Sequence, residues 1–348
     1  MKNFISIVVG ATAVLSANAN DLTLKFDRPA EFFEETFVIG NGTQGGIVYG
    51  DPYRERISLN DITLWSGEPD TAAYNPGAYK YLPEIREALE KGDYSKAEAL
   101  QSKMQGHNSQ YYQPVGSLFI DFKDKTPVSN YNRKLDLNTA VANVSYTKGD
   151  NEVLTEYLAS APDSLIAIRL TSSQPMSLSL SFDSQLPHEN NVSSSGISAD
   201  GYAPYGFEYN NRKETLLFDP KRGIHFRANV AAVSNTGTID TADGSINVND
   251  ATDVTIYVTM STNFEAPNIN PANSHKDYKM IADNRRDNAL AQQFDDIAAR
   301  HTDDYRNLFS RVNVDFGSSD PRLQELPTDI SLKHYYDNHI YAPDLEER

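Results

Sequence analysis

The 348-residue chain contains no cysteine. Disulfides, a thiolate nucleophile and cysteine-ligated zinc are therefore excluded, and so is a lipid anchor at a leader junction. A chain of this length buries enough core to fold without such cross-links. Tryptophan occurs once, as Trp65, beside 20 tyrosines. Positive charge is also scarce: 31 Lys and Arg face 48 Asp and Glu, a formal net charge of −17. Such a field repels phosphate backbones and anionic lipid surfaces, which argues against nucleic acid or a membrane surface as a partner. Neutral sugars are indifferent to it. The 7 histidines are scattered, with no H-x-x-x-H or H-E-x-x-H spacing, and no G-x-S-x-G elbow is present. No metal and no cofactor is expected on these grounds.

No segment approaches the roughly 20 apolar residues that span a bilayer as a helix. The longest candidate lies at the start. Lys2 supplies a positive charge, residues 4–15 (FISIVVGATAVL) are apolar, and Ala17-Asn18-Ala19 is a small-x-small site. Residues 1–19 therefore read as a signal peptide, implying export to the bacterial periplasm or beyond and no membrane contact after cleavage.

What the chain does contain is strand pattern. LTLKFDRPA (22–30) alternates apolar and polar residues, and FVIGNGTQGGIVYG (37–50) reads as two strands around a glycine-rich turn. FIDF (119–122), VSYT (144–147), LIAIRLT (165–171), LSLSF (178–182), IHFRANVAAV (224–233) and VTIYVTM (254–260) continue the pattern. Many short strands between turn residues predict a mainly β fold, a large antiparallel two-sheet β-sandwich. NNVSSSGISADG (190–201) reads as a polar loop. Residues 82–105 break the pattern with a short helical hairpin, where Pro83 suits a helix start, Gly92 a stop and Asp93 or Ser95 a cap. Residues 272–311 predict one or two further helices, with VNVDF (312–316) as a short strand and a helical turn near Leu332–Tyr336.

Two blocks have residue types suited to sugar binding. In SLNDITLWSGEPD (58–70), Asp61, Glu68 and Asp70 surround Trp65. A sugar ring stacks on an aromatic face while carboxylates and amides bind its hydroxyls. The same residues suit turn capping and core filling still better. In YYQPVGSL (111–118), two tyrosines and Gln113 suit a polar, stacking surface or a half-buried strand entry.

Taken in order, these segments resemble glycoside hydrolase family 95, the inverting α-L-fucosidases and α-L-galactosidases. The resemblance is carried by PAEFFEETFVIGNGTQGGIVYG (29–50), ERISLNDITLWSGEPD (55–70), NPGAYKYLPEIREALEKGDYSKAEAL (75–100), YYQPVGSLFIDF (111–122), RKLDL (133–137), YLASAPDSLIAIRLT (157–171), RHTDDYRNLFSRVNVDFG (300–317) and LPTDISLKHYY (326–336). Thr43, Gln44, Ile62 and Ser117 depart from the family pattern. The resemblance implies an N-terminal β-sandwich over residues 20–268, linker helices over 269–317, and over 318–348 the approach to a catalytic (α/α)6 barrel that the chain does not reach. The family's catalytic groups sit in that barrel, so no catalytic residue is assigned here. Asn60, Asp61, Trp65, Tyr112 and Gln113 are the candidates for a substrate rim. The implied partners are a fucosylated oligosaccharide or polysaccharide and the barrel itself. A stand-alone carbohydrate-binding sandwich is the alternative. Without a barrel, Leu290, Phe294, Leu308 and Phe309 are expected to form an exposed apolar face.

Overall fold

A computed structural model of the chain describes residues 22–70, 75–106, 110–210, 213–317, 319–343 and 345. The leader expected over 1–19 lies outside the described residues. Strand β1 (Thr23–Phe26) precedes the hairpin of β2 (Phe37–Gly40) and β3 (Gln44–Val48), then β4 (Arg54–Asp61). Helices α1 (Leu82–Glu90) and α2 (Tyr94–Gln101) separate these from β5 (Gly116–Phe122). A meander follows: β6 (Val128–Asp136), β7 (Val141–Lys148), β8 (Asn151–Ser160) and β9 (Leu165–Asp183). Next come β10 (His188–Ser193), β11 (Gly196–Tyr202), β12 (Gly206–Asn210), β13 (Lys213–Leu217), β14 (His225–Val233), β15 (Thr238–Ala242) and β16 (Ser245–Thr262). The chain then turns helical in α3 (Tyr278–Leu290), α4 (Phe294–Phe309), α5 (Pro321–Gln324) and α6 (Thr328–Asn338).

The fold is mainly β and antiparallel, as the sequence pattern predicts. Its two layers are one 14-stranded sheet curled over on itself, with β12 and β13 paired separately. Two long strands make the curl. The first part of β9 pairs with β8, from Leu165 to Ser172, and its last part pairs with β5, from Leu178 to Asp183. Strand β16 likewise pairs with β15 at its start and β14 at its end. The β9–β16 register shifts twice between Val248 and Asp253. Bulges of this kind bend a strand and sharpen its twist. Pro175 lies at the same crossing, where a missing N–H costs no ladder bond.

Strands β4 and β7 alternate buried and outward residues, and the buried ones from both layers meet in one core that includes Ile57, Leu118, Val144, Ile168 and Val258. Gly46 shows how closely the layers approach. A methyl there would lie 3.3 Å from Ile39 and Ile57 and 3.4 Å from Ile166 on the facing layer. The first half of β9 is buried on both faces, because the helices cover its outer side. Phe294, Ile297 and Ala289 pack on Leu158, Leu165, Ala167 and Tyr257. Burying each large side chain contributes roughly 1.5–3 kcal/mol. Phe294 is therefore only 6% exposed and Leu290 is partly buried, which corrects the exposed face expected for them. Leu308 does stay exposed, while Phe309 stacks on Tyr305 at 5.1 Å.

The helical hairpin forms as its end signals predict. Pro83 lies in the first turn of α1, Gly92 takes a φ of +71°, and Asp93 caps α2 by accepting from the Lys96 N–H at 3.1 Å. Three further expectations need correction. Residues 190–201 are the β10–β11 hairpin, whose buried side is Ile197 and Ala199 while the polar residues face outward. Residues 312–316 form no strand: no ladder faces them, and Val312, Val314 and Phe316 are exposed. The turn near Leu332–Tyr336 extends into the eleven-residue α6. That helix is tied by its start to β1, where Thr328 accepts from the Lys25 N–H at 3.0 Å and Asp329 pairs with Arg28 at 3.1 Å. No described helix is long and apolar enough to cross a membrane.

Candidate functional site

The site is built where β4 ends. Asp61 closes the strand with a side-chain turn, its Oδ1 accepting from the Thr63 N–H at 3.0 Å and the Thr63 hydroxyl at 2.6 Å. Short polar side chains favour this local bonding. The chain then runs beside the segment before β5. The Ser66 N–H donates to Tyr111 O at 2.8 Å, the Gln113 N–H donates to Leu64 O at 3.0 Å, and Trp65 and Tyr112 form an antiparallel bridge. The two sugar-suited blocks of the sequence thus lie side by side.

Side chains sort the five rim candidates into two kinds. Trp65 and Tyr112 are 42% and 43% exposed, with rings edge to face at 6.1 Å. The indole Nε1 donates to Ile62 O at 2.9 Å, which fixes the ring orientation. Burial, and secondly the charge of Asp61, push the Tyr112 phenol up to about 12, so it stays neutral at physiological pH. Asp61 and Gln113 are buried instead, and the Asn60 Oδ1 is enclosed without a hydrogen-bond partner. Asp61 faces inward toward two cations. Burial lowers the pKa of both Lys276 and Arg285, and the Asp61 charge opposes that effect. Arg285 and Gln44 both donate to Met260 O, at 2.7 and 2.8 Å. Gln44 thus acts as a strut between the layers.

Beside Trp65 opens a cleft of about 450 Å³. Its lining includes Trp65, Ser66, Glu68 and Gln110 together with the apolar Ile224, Phe264 and Ile269. Gly67 permits the tight path of the chain beside Trp65. Its φ is +88°, and a Cβ there would meet the Gln110 side chain at 2.3 Å. Glu68 accepts from Arg222 at 2.6 and 3.2 Å, and this bond holds its carboxyl below the ordinary range. The Arg222 guanidinium in turn lies 3.7 Å from the Tyr205 ring centre. Asp70 also lines the cleft. The structure therefore brings together Trp65, Glu68 and Asp70, but leaves Asp61 in the interior. Sequence reading missed Arg222, Ile224 and the 264–271 segment. These come from strand ends about 150 to 200 residues away in the chain, and no local motif marks them.

The arrangement suits stacking and hydrogen bonding to a neutral ligand. Glu68 is engaged by Arg222 and Asp61 by Thr63, so neither is presented as an acid or base to a bound sugar. Among the described residues, no group of three His, Asp or Glu is set to hold a metal ion.

The family described as glycosyl hydrolase family 65, N-terminal domain, matches residues 24–267. The chain belongs to this family. Curated relatives agree with that placement. A protein of Arabidopsis thaliana named alpha-L-fucosidase 2 is 32% identical over 313 residues, covering 86% of this chain and 37% of the relative. A probable alpha-fucosidase A of Aspergillus oryzae is 25% identical over 328 residues, covering 90% and 44%. This glycosyl hydrolase N-terminal domain thus spans less than half the length of those relatives. Among solved structures, a putative kojibiose phosphorylase from the human microbiome superposes with a TM-score of 0.50 over 85% of this chain and 40% of its own. At 12% identity that likeness shows a shared fold.

Proposed function

We propose that this domain is the N-terminal part of an α-L-fucosidase of glycoside hydrolase family 95, which removes terminal L-fucose from glycans with inversion. The observation that carries the reading is 32% identity, across 86% of the chain, to a protein named for that activity. The ordered motifs from residue 29 to residue 336 support it. Inverting hydrolysis needs two carboxyl groups about 6.5–9.5 Å apart, one as acid and one to activate water. The engaged states of Asp61 and Glu68 fit a division of labour in which that pair lies in an (α/α)6 barrel and residues 269–317 link the two parts. On this reading the 348-residue polypeptide alone does not hydrolyse fucosides, and residues 1–19 direct its export from a bacterial cell.

The tests are direct. The purified chain is expected to give no turnover of 4-nitrophenyl α-L-fucoside, and the coding sequence after codon 348 is expected to encode a barrel. Turnover by the chain, or an unrelated continuation, contradicts the reading. N-terminal sequencing of the exported protein should begin at Asn20. A second reading, a stand-alone carbohydrate-binding module, is favoured by the half-exposed Trp65 and Tyr112 rings. Calorimetric titration with fucosylated oligosaccharides separates it from an inert scaffold, which would release no heat.

A further inference from the structure

The turn between β6 and β7 leaves three successive carbonyl groups, those of Leu137, Asn138 and Thr139, outside the strand ladder. Carbonyls without a ladder partner need donors from elsewhere. Helix α4 meets all three. The Tyr305 hydroxyl donates to Leu137 O at 2.7 Å, the Arg306 Nε donates to Asn138 O at 3.1 Å, and the His301 Nε2 lies 2.9 Å from Thr139 O. His301, Tyr305 and Phe309 follow at a spacing of four, which puts them on one helix face. Their rings stack in a column, with centres 6.4 and 5.1 Å apart. The His301 ring is buried, and its other nitrogen, Nδ1, lies 3.0 Å from Ala159 O on β8.

Both ring nitrogens thus face carbonyl oxygens, which can only accept. A neutral imidazole has one N–H and would turn a lone pair toward the other carbonyl; only the cation donates to both. We propose that His301 is a charge-dependent latch: doubly protonated, it holds α4 to β8 and to the β6–β7 turn, and loss of one ring proton loosens the helix. Histidine suits the role because its charge changes near neutral pH. The latch is closed on the acid side and opens as rising pH removes the second proton. The groups around it are engaged elsewhere. In the β6–β7 turn, Asp136 accepts from the Asn138 N–H and the Thr139 hydroxyl, at 2.8 and 2.9 Å. Asp163, after β8, pairs with Arg300 at 2.7 Å, and Glu156 on β8 faces Arg169. Burial, and secondly the Asp136 charge, raise the Tyr305 phenol above its ordinary range, so it stays neutral beside the ring. Asp303 and Asp304 add negative charge on α4 itself, which favours the cation. What the latch governs is the exit from the sandwich. Helix α4 leads into residues 312–316, which pair with no strand, so its last turns direct the chain that follows.

The test is proton–nitrogen NMR of the full chain with labelled histidine rings, joined to amide hydrogen exchange. At pH 6 His301 should carry two hydrogen-bonded ring N–H protons. Between pH 6 and pH 9 one should leave. Over the same range, protection of the α4 amides from Tyr305 to Ser310 should fall about tenfold relative to the β8–β9 ladder, as loss of one charge-assisted bond allows. Tyr305→Phe removes a neutral bond and should lower protection equally at both pH values. His301→Gln assigns the ring signal and should make helix protection independent of pH. If that variant does not fold, replacing the other histidines one at a time by Gln assigns the signal by elimination, and both readings are made on the parent chain. A ring with one N–H throughout, a ring that keeps both protons to pH 9, or helix protection that stays level while the ring titrates overturns the latch. So does a folded His301→Gln variant whose protection follows pH as the parent's does.

Discussion

Glu55 offers a sharp test of how the sandwich is put together. It occupies an inward position of β4, between the exposed Arg54 and Arg56, and is 1% exposed. Its Oε1 accepts from the Tyr49 N–H at 3.1 Å. Burial pushes the carboxyl up from 4.5 to about 8, against the pull of backbone N–H groups at Gly50 and Tyr49. Folded chains therefore keep a proton that unfolded chains lose above about pH 4.5. Between there and pH 8, stability falls by about 1.4 kcal/mol per pH unit from this group alone. The whole window amounts to about 5 kcal/mol, an upper bound because a real interior relaxes around a new charge. Above pH 8 the contribution is constant. Glu55→Gln keeps the shape and removes the proton. Urea unfolding of both proteins at pH 5 and pH 8 isolates the effect, since other carboxylates cancel in the difference. The variant should gain several kcal/mol on the parent from pH 5 to pH 8. Curves that shift in parallel would refute the argument that Glu55 is held neutral by burial.

Phe294→Ala should cost about 3–5 kcal/mol in urea unfolding, because the ring is nearly fully covered by the outer face of β8, β9 and β16. A loss under 1 kcal/mol would show that α4 is not held by that contact. Asp93→Ala removes the cap of α2 and should cost about 1 kcal/mol, read from the same denaturation curve. Gly67→Ala combines a φ of +88° with a methyl 2.3 Å from Gln110. It should cost about 1–3 kcal/mol and shift the Trp65 emission, since the cleft wall must move.

The strands and helix ends were legible in the sequence because their signals are local. The alternation around β1, the VSYT run of β7, and the Pro83, Gly92 and Asp93 punctuation of the helical hairpin need no partner to be read. What was not legible depends on distant partners. VNVDF has strand composition but no strand to pair with, so it stays open. The β10–β11 hairpin looks like a polar loop because only Ile197 and Ala199 on β11 face the core. Helix α6 scatters Ile330, Leu332, Tyr335 and Tyr336 toward solvent, which blurs its period. At the site, Trp65 and Tyr112 were recognisable as residue types, and the structure makes them neighbours. The burial of Asp61 and the capture of Glu68 by Arg222, 154 residues away, had no sequence signal.

The central claim is that this sandwich serves an inverting α-L-fucosidase whose hydrolytic groups lie elsewhere. The most direct measurement follows 4-nitrophenyl α-L-fucoside by proton NMR with the purified chain and with the product of the continuous reading frame. The account predicts no turnover by the chain, and β-L-fucose as the first sugar released by the longer product. Release of α-L-fucose first, or turnover by the 348-residue chain alone, would contradict it.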